Sequence, residues 1–395
     1  MKKCIGIILA LCLCRLLVPV TAVWAAVPEV SAQAWILAEA ATGQVICEHN
    51  AREKRPMAST TKIMTTLLTL EHGDLDTEFR VDSNAIRVEG SSMGLQEGDL
   101  VTLRALCAGM LLPSGNDAAN AAAVRIAGSI PNFAAMMNAR AQAIGMRDTY
   151  FVTPSGLEGE GHGASAYDMA LLTREALRNA DFRSICGAKS MTVSFGNPPC
   201  ERTLYNTNRL LKMDNSIIGV KTGFTDEAGR CLVSACERDG VTLLCVTLHA
   251  PDDWNDHLRL YDYGFSRMQA AELPVPEIAP FPVAGGEQDA VTVQPAGSVT
   301  IGALQGRPSG IRTSIRRAPF VYAPFCEGDV LGELVYFYQE REIASVPLLA
   351  AGNVPARPAE QPKKSIWEQL WGAVNRPSCT KRCGCRAVTA LPREV

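Results

Sequence analysis

The sequence predicts an α+β fold in which an antiparallel sheet is flanked by helices and a helical subdomain, followed by a small all-β domain. Three observations carry this. Alternating apolar segments bounded by turn residues occur early, at Ala34 to Ala38 and Gln44 to Glu48, and again at Leu232 to Cys236 and Thr242 to Leu248. Apolar residues at helical spacing fill the stretch between them. From Glu272 to Glu287 the composition shifts to proline and glycine, and only short alternating segments follow.

In chain order, Lys2 and Lys3 precede an apolar run from Cys4 to Cys14, and Val23-Trp24-Ala25 presents small residues where a signal peptidase reads. Residues 1–25 are therefore expected to be a cleaved signal peptide, and Arg15, interrupting the apolar run, argues against a retained anchor. No lipobox stands around Cys12 or Cys14. What remains of the 395 residues is ample for one large and one small core. The expected division is a large domain at 26–272, a small β domain at 273–352 and a tail at 353–395. Removing the signal takes three of the 38 basic residues and none of the 41 acidic ones, so the mature chain is more acidic than its formal net charge of −3. That balance argues against nucleic acid as a partner.

The first hairpin turns at Thr42-Gly43, and a helix is expected from Ser59, with apolar spacing to Leu70. Thr102 caps an apolar helix ending at Leu112. Pro113 stops it, and Ser114-Gly115-Asn116 falls in the turn before an alanine-rich helix through Ala127. Pro131 opens another helix, and Ser165 or Ala166 begins one through Asn179 with Asp168 in its first turn. Arg238-Asp239-Gly240 turns the second hairpin, and a helix from Asp253 to Met268 closes the large domain. Strands from both ends of this domain are expected to share one sheet, with Lys221 on its cleft-facing edge. In the small domain Val291 to Val293, Ile311 to Ile315, Leu334 to Tyr338 and Ile343 to Val346 read as strands without a catalytic constellation, suited to spacing or docking.

Three short motifs, in order, carry chemistry: Ser59-Thr60-Thr61-Lys62, Ser114-Gly115-Asn116 and Lys221-Thr222-Gly223. A serine hydroxyl is a poor nucleophile until a base takes its proton. On a helix Lys62 lies on the same face as Ser59, less than one turn on. Its amine serves as a base only when partly neutral, which requires burial or a neighbouring cation, and Lys221 is the candidate cation. Ser114 can relay a proton to a leaving amine, and the Asn116 amide can bond both the lysine and a substrate carbonyl. Gly223 on an edge strand lets a substrate backbone lie close, while Thr222 and Lys221 present a hydroxyl and a charge to an anionic substrate end. In the plainer alternative Ser59 only caps a helix and Lys62 is a solvated charge. Each motif alone is weak; their order and their placement on a helix start and a strand are what give them force.

Around these motifs the chain resembles the low-molecular-weight penicillin-binding proteins, serine D-alanyl-D-alanine carboxypeptidases with the penicillin-binding-protein/serine β-lactamase-like transpeptidase fold. The matching stretches are Met57–Thr65, Leu111–Ala119 and Gly219–Thr225, with Asn206-Thr207-Asn208 spaced ahead of the third, and the resemblance covers about residues 30 to 350. It implies Ser59 as acyl-enzyme nucleophile, Lys62 as general base, Ser114 and Asn116 as proton relay and substrate clamp, and Lys221, Thr222 and Gly223 as substrate binders. It also implies an oxyanion hole made by the backbone amides of Ser59 and Phe224. Peptidoglycan stem peptides would be the substrate and β-lactams the inhibitors, with no cofactor and no metal. Several relatives hold the substrate carboxylate with arginines near the third motif. Here Thr207 and Leu248-His249-Ala250-Pro251-Asp252 supply none, leaving Arg209 and Arg259 as nearby substitutes and both carboxypeptidase and endopeptidase activity open.

A serine β-lactamase shares the motifs but needs fast deacylation, usually from a glutamate followed three residues later by Leu-Asn. The nearest match, Glu175-Ala176-Leu177-Arg178-Asn179, has the wrong spacing. An idle β-lactam- or wall-binding protein is the remaining class, and intact motifs argue against it. His162, in Gly161-His162-Gly163, is the histidine nearest to a rival Ser/His/Asp arrangement, but no G-x-S-x-G elbow accompanies it and a structural loop role is expected. Of the 14 cysteines three fall in the signal, leaving an odd number. Cys107, Cys231 and Cys245 sit in apolar segments and read as buried, whereas Cys379, Cys383 and Cys385 lack a fourth ligand for zinc. In the tail Ile366, Trp367, Leu370, Trp371 and Val374 share one helix face between Lys363, Lys364 and Arg376, a pattern for peripheral attachment at the outer face of the cytoplasmic membrane or for docking on the β domain.

Overall fold

The computed structural model describes residues 26–358. The expected signal peptide, the amphipathic segment from Ile366 to Val374 and the cysteines at 379, 383 and 385 lie outside the described residues. The described chain forms two compact units. One comprises the chain up to Glu277 with Pro295–Arg316 and Gly332–Leu348; the other comprises Ile278–Gln294, Arg317–Leu331 and the segment from Leu349.

The larger unit is organised by a five-stranded sheet. Strands β1 (Ala34–Glu39) and β2 (Val45–His49) form the first expected hairpin. After β3 (Phe79–Arg80), β4 (Leu100–Val101), β5 (Ser190–Gly196) and β6 (Pro199–Tyr205), which form a separate small sheet, come β7 (Ile217–Thr225), β8 (Gly229–Arg238) and β9 (Val241–Leu248). The order of the large sheet is β2-β1-β9-β8-β7, so strands from early and late in the expected large domain meet at the β1–β9 pair, where Ala34 faces Leu248 and Leu37 faces Cys245. The third motif lies on β7, an edge, as the sequence predicts.

Successive side chains of a strand point to opposite faces, and here both faces are covered. Ile36, Val233 and Val246 enter one core with Ile63, Met64 and Leu67 of helix α1 (Lys62–His72), while Leu37, Leu232, Cys236 and Cys245 enter a second core. Helices α2 (Leu103–Leu111), α3 (Asn116–Ala127), α4 (Ile130–Ile144) and α5 (Ala166–Ala176) build on the first core; they are followed by α6 (Ala180–Gly187) and the short α7 (Leu210–Met213). Helix α8 (Asp253–Phe265) covers the second core with Leu260 and Tyr261. On α8 the buried His257 bonds Ser234 Oγ at 2.6 Å and Thr247 Oγ1 at 3.0 Å, pinning the helix to the sheet, and burial pushes its pKa down to about 3.

Local chemistry sets most helix starts: Thr102 Oγ1 accepts from Ala105 N at 3.1 Å, and Ser165 Oγ from Asp168 N at 3.1 Å. Several expectations need correction. The helix expected from Asp253 to Met268 ends at Phe265, because the chain enters a strand at Met268, and the strand expected at Val291 to Val293 is split between Ala290–Val291 and Val293–Pro295. The helix expected to run through Asn179 ends at Ala176, because Asn179 Oδ1 accepts from Phe182 N at 3.0 Å and so caps α6. The helix expected from Ser59 begins as a 3-10 turn, Ala58–Thr61, because the hydroxyls of Thr60 and Thr61 bond the Met57 and Ala58 carbonyls three residues back; regular α-helix starts at Lys62. Cys107, Cys231 and Cys245 are fully buried, and no described cysteine is in a disulfide.

The rest of the larger unit is β10 (Met268–Glu272), antiparallel to β14 (Thr300–Leu304), and β15 (Ile311–Arg316), antiparallel to β17 (Val330–Tyr338), beside which runs β18 (Arg341–Ala350). In the smaller unit β11 (Phe281–Ala284) lies between β12 (Ala290–Val291), antiparallel, and β16 (Val321–Tyr322), parallel. The remaining strand, β13, is Val293–Pro295.

Candidate active site

The 3-10 turn ahead of α1 carries Ser59, partly exposed, and α1 opens on Lys62, fully buried. Lys62 Nζ lies 2.9 Å from Ser59 Oγ and donates to Asn116 Oδ1 at 2.7 Å and to the Ser155 carbonyl at 2.6 Å, which leaves its lone pair, when neutral, free to face the hydroxyl. Burial, and next the charge of Lys221, hold its pKa well below the usual lysine value; Asp117 works in the opposite sense. A neutral amine against the serine hydroxyl is what a general base requires. Ser59 makes no capping bond, so the plainer reading of it as a helix cap fails.

Asn116 is positioned through side chain and backbone: Nδ2 donates to the Glu89 carbonyl at 2.7 Å, while its own backbone N–H donates to the Ser91 carbonyl at 2.7 Å. Next to it Asp117 accepts from Met93 N at 2.9 Å, Gly94 N at 3.1 Å, Leu95 N at 3.0 Å and Ser92 Oγ at 2.6 Å, tying the 91–95 loop to the start of α3. Ser114, buried, takes a left-handed conformation (φ 68°) between α2 and α3, which turns it out of the helical path and onto the wall of the cleft.

Lys221 is 1 % exposed and donates to the Thr222 carbonyl at 2.7 Å; burial pushes its pKa down to about 7. Thr222 Oγ1 lies 2.9 Å from Thr207 Oγ1, and Thr207 bonds the Leu112 carbonyl, so the third motif is linked to the end of α2. A Cβ at Gly223 would stand 3.0 Å from the Met57 carbonyl and 3.1 Å from Ser59 N. Only a bare backbone passes Ser59 this closely. Phe224, 63 % exposed, follows on the strand.

These groups surround a cleft of about 390 Å³, walled by Ser59, Ser114, Thr222 and Gly223 and continuing past Arg209 and Arg230. Lys62, Asn116 and Lys221 lie buried around it. Of the two arginines named as substitutes, Arg209 lines the cleft; Arg259 is instead bonded to Asp252 and Asp256. Arg230, which sequence reasoning missed, also lines it, with its guanidinium held by Asp253 at 2.7 and 3.0 Å. Its pairing opposite Phe224 on β8 was the signal that could have found it. The Ser155 carbonyl and Asp117 were missed too, one because a backbone oxygen leaves no mark in sequence, the other because only the fold brings the 91–95 loop to it. Glu175 is tied to Arg140 at 2.7 Å, away from the cleft, and cannot serve deacylation. His162 bonds Thr61 and the Val152 amide rather than any nucleophile.

The family model described as D-alanyl-D-alanine carboxypeptidase matches residues 21–252. The D-alanyl-D-alanine carboxypeptidase DacF of Bacillus subtilis is 31% identical over 330 residues, covering 81% of this chain and 85% of that protein. The Escherichia coli carboxypeptidase DacC is 33% identical over 349 residues, with 83% and 85% covered. Among solved structures, penicillin binding protein 5 from Haemophilus influenzae superposes with a TM-score of 0.60 at 26% identity over 84% of this chain and 99% of that one. The Streptomyces K15 DD-transpeptidase gives 0.58 at 30% identity over 61% and 100%.

Proposed function

The chain belongs to the D-alanyl-D-alanine carboxypeptidase family of serine peptidases and penicillin-binding proteins, and from that premise we propose how its own residues perform the reaction. The enzyme hydrolyses D-alanyl-D-alanine ends of peptidoglycan peptides outside the cytoplasm and binds β-lactams. Lys62 takes the Ser59 hydroxyl proton as Ser59 Oγ attacks the penultimate carbonyl carbon. The resulting oxyanion is held by the backbone N–H groups of Ser59 and Phe224. The C–N bond breaks as Ser114 relays the proton from Lys62 to the departing D-alanine amine, which leaves Lys62 neutral again, and Asn116 holds the substrate amide. Water, deprotonated by Lys62, attacks the acyl-enzyme carbonyl, the bond to Ser59 Oγ breaks, and Lys62 returns that proton to Ser59. Lys221, Thr222 and Arg209 receive the terminal carboxylate, while Gly223 leaves room for the substrate backbone.

One observation carries this reading: a fully buried amine with a depressed pKa lies 2.9 Å from a partly exposed serine hydroxyl. The terminal carboxylate receptors favour carboxypeptidase over endopeptidase action. We further propose that the segment at Ile366, Trp367, Leu370 and Trp371 attaches the enzyme peripherally to the outer face of the membrane, as its one-sided apolar pattern supports. The test is to incubate the chain from Ala26 with a fluorescent penicillin and, separately, with diacetyl-lysyl-D-alanyl-D-alanine. Wild type should carry stable label and release D-alanine, and Ser59→Ala should do neither. Release at the wild-type rate by Ser59→Ala would overturn the assignment.

A further inference from the structure

The peptide unit joining Ala58 to Ser59 is held from behind by a chain of hydrogen bonds that the reaction as described does not use. Its carbonyl accepts from Thr61 Oγ1 at 2.8 Å, and Thr61 Oγ1 lies 3.0 Å from His162 Nε2. His162 Nδ1 in turn accepts from the Val152 N–H at 2.9 Å. A neutral imidazole has one donor and one acceptor nitrogen. With Nδ1 occupied as acceptor, the proton sits on Nε2 and is donated to Thr61, whose own hydroxyl proton then goes to the Ala58 carbonyl. Burial keeps the ring neutral by pushing its pKa down to about 4.

The backbone is shaped around this chain. Ala58 adopts φ 48°, a left-handed conformation that a residue with a side chain takes up at a cost of about 1 kcal/mol or more. Gly156 makes room for it: a Cβ there would lie 2.0 Å from the Ala58 carbonyl oxygen and 2.9 Å from Thr61 Oγ1. On the opposite side of the same peptide, Ser59 N is the atom that a Cβ at Gly223 would approach to 3.1 Å. In a trans peptide the C=O and N–H point in opposite directions. Pinning the carbonyl to Thr61 therefore aims the Ser59 N–H at the strand side of the cleft, and hydrogen bonds in series polarise one another.

We infer that His162 and Thr61 are positioning residues for the oxyanion hole: the directed chain from His162 through Thr61 to the Ala58 carbonyl orients and strengthens the Ser59 amide as an oxyanion donor. The inference rests on Ser59 being the nucleophile with its amide in the oxyanion hole. It gives His162 a part in the reaction without contact with substrate, in place of the structural loop role expected from the sequence.

The test measures the acylation rate constant with fluorescent penicillin, and kcat and KM with the D-alanyl-D-alanine peptide, in Thr61→Val, His162→Leu and the double variant. Rate constants are read per labelled serine, so a misfolded fraction lowers amplitude and leaves the rate unchanged. Each single variant should acylate on the order of tenfold more slowly, with kcat reduced and KM little changed, short of the ~10² to 10³ that follows loss of an oxyanion donor itself. The double variant should be no slower than the slower single one, since both cut the same chain. His162→Gln, with an acceptor and a donor of its own, and Thr61→Ser should recover most of the rate; Thr61→Ser also supplies the comparison should His162→Leu fail to fold. Wild-type rate constants in both single variants, or effects that multiply in the double, would overturn the inference. Ser59→Ala separates the two failures: label lost there with unaffected rates elsewhere sinks the positioning role alone, and label retained there sinks the nucleophile assignment and the positioning role with it.

Discussion

On the wall of the cleft that carries Ser59, Lys62 is engaged by Ser59, Asn116 and the Ser155 carbonyl; on the strand wall Lys221 bonds, among the described residues, only the carbonyl of its neighbour Thr222. The same contrast runs outward from the two lysines. Asn116 and Asp117 are fastened to the 89–95 loop by several short bonds, while Phe224 is largely exposed and Arg209 has no ion-pair partner among the described residues. The difference follows from what each wall must do. The wall that moves a proton must hold its groups within a few tenths of an ångström of the reacting geometry, because misplacement costs rate. The wall that receives a substrate must keep bonding capacity unspent, since only bonds formed on binding contribute affinity.

The sharpest way to break this comparison is Lys62→Met. It removes the base from the fully bonded wall, and acylation and peptide turnover should both fall by about 10³ or more while the chain still unfolds cooperatively. A stopped-flow measurement of penicillin labelling giving wild-type rates would end the case for Lys62 as the base.

Next in size is the pH dependence of kcat/KM, which reports on the free enzyme. Activity should rise with pH as Lys62 loses its proton. It should decline above about 7, where Lys221 loses the charge that receives the carboxylate, approaching about tenfold per pH unit. Lys221→Arg, charged throughout, should lose that alkaline limb. A limb that persists unchanged in Lys221→Arg would show that another group titrates there.

The smallest effect belongs to the open end of the strand wall. Arg209→Gln should raise KM for a free-acid peptide about tenfold, the order expected for one charge-assisted hydrogen bond, and leave an amidated peptide unaffected. Equal effects on both peptides would move Arg209 from carboxylate recognition to general packing. Arg230 is a poorer probe, because its removal strands Asp253, whose side chain is 3% exposed.

Much of this was legible in sequence because it depends on neighbours along the chain. Thr102 and Ser165 cap helices by bonds three residues ahead, and both hairpins follow from alternation around Thr42-Gly43 and Asp239-Gly240. The motif order itself named Ser59, Lys62, Ser114, Asn116, Lys221, Thr222 and Gly223, and the fold brings them to one cleft or into its walls. What escaped was set by distant partners or by backbone. Asn179 looks like the continuation of a helix until its side chain is seen capping the next one. The end of the helix that starts at Lys62 depends on hydroxyl bonds from Thr60 and Thr61 competing with helical geometry. The bond from Lys62 to the Ser155 carbonyl spans 93 residues and leaves no side-chain signature at all.

The sequence by itself determined which residues can do the chemistry: a serine and an amine one turn apart, a hydroxyl and an amide in a turn, and a lysine beside a glycine on an edge strand. It did so because spacing and residue type dictate local geometry. Only the tertiary structure decided that the pKa of the amine is lowered. The lowering arises from burial at 0% exposure and from the field of Lys221, which arrives on strand β7. Desolvation and through-space charge depend on what surrounds a group in three dimensions, and neither can be written in the order of residues.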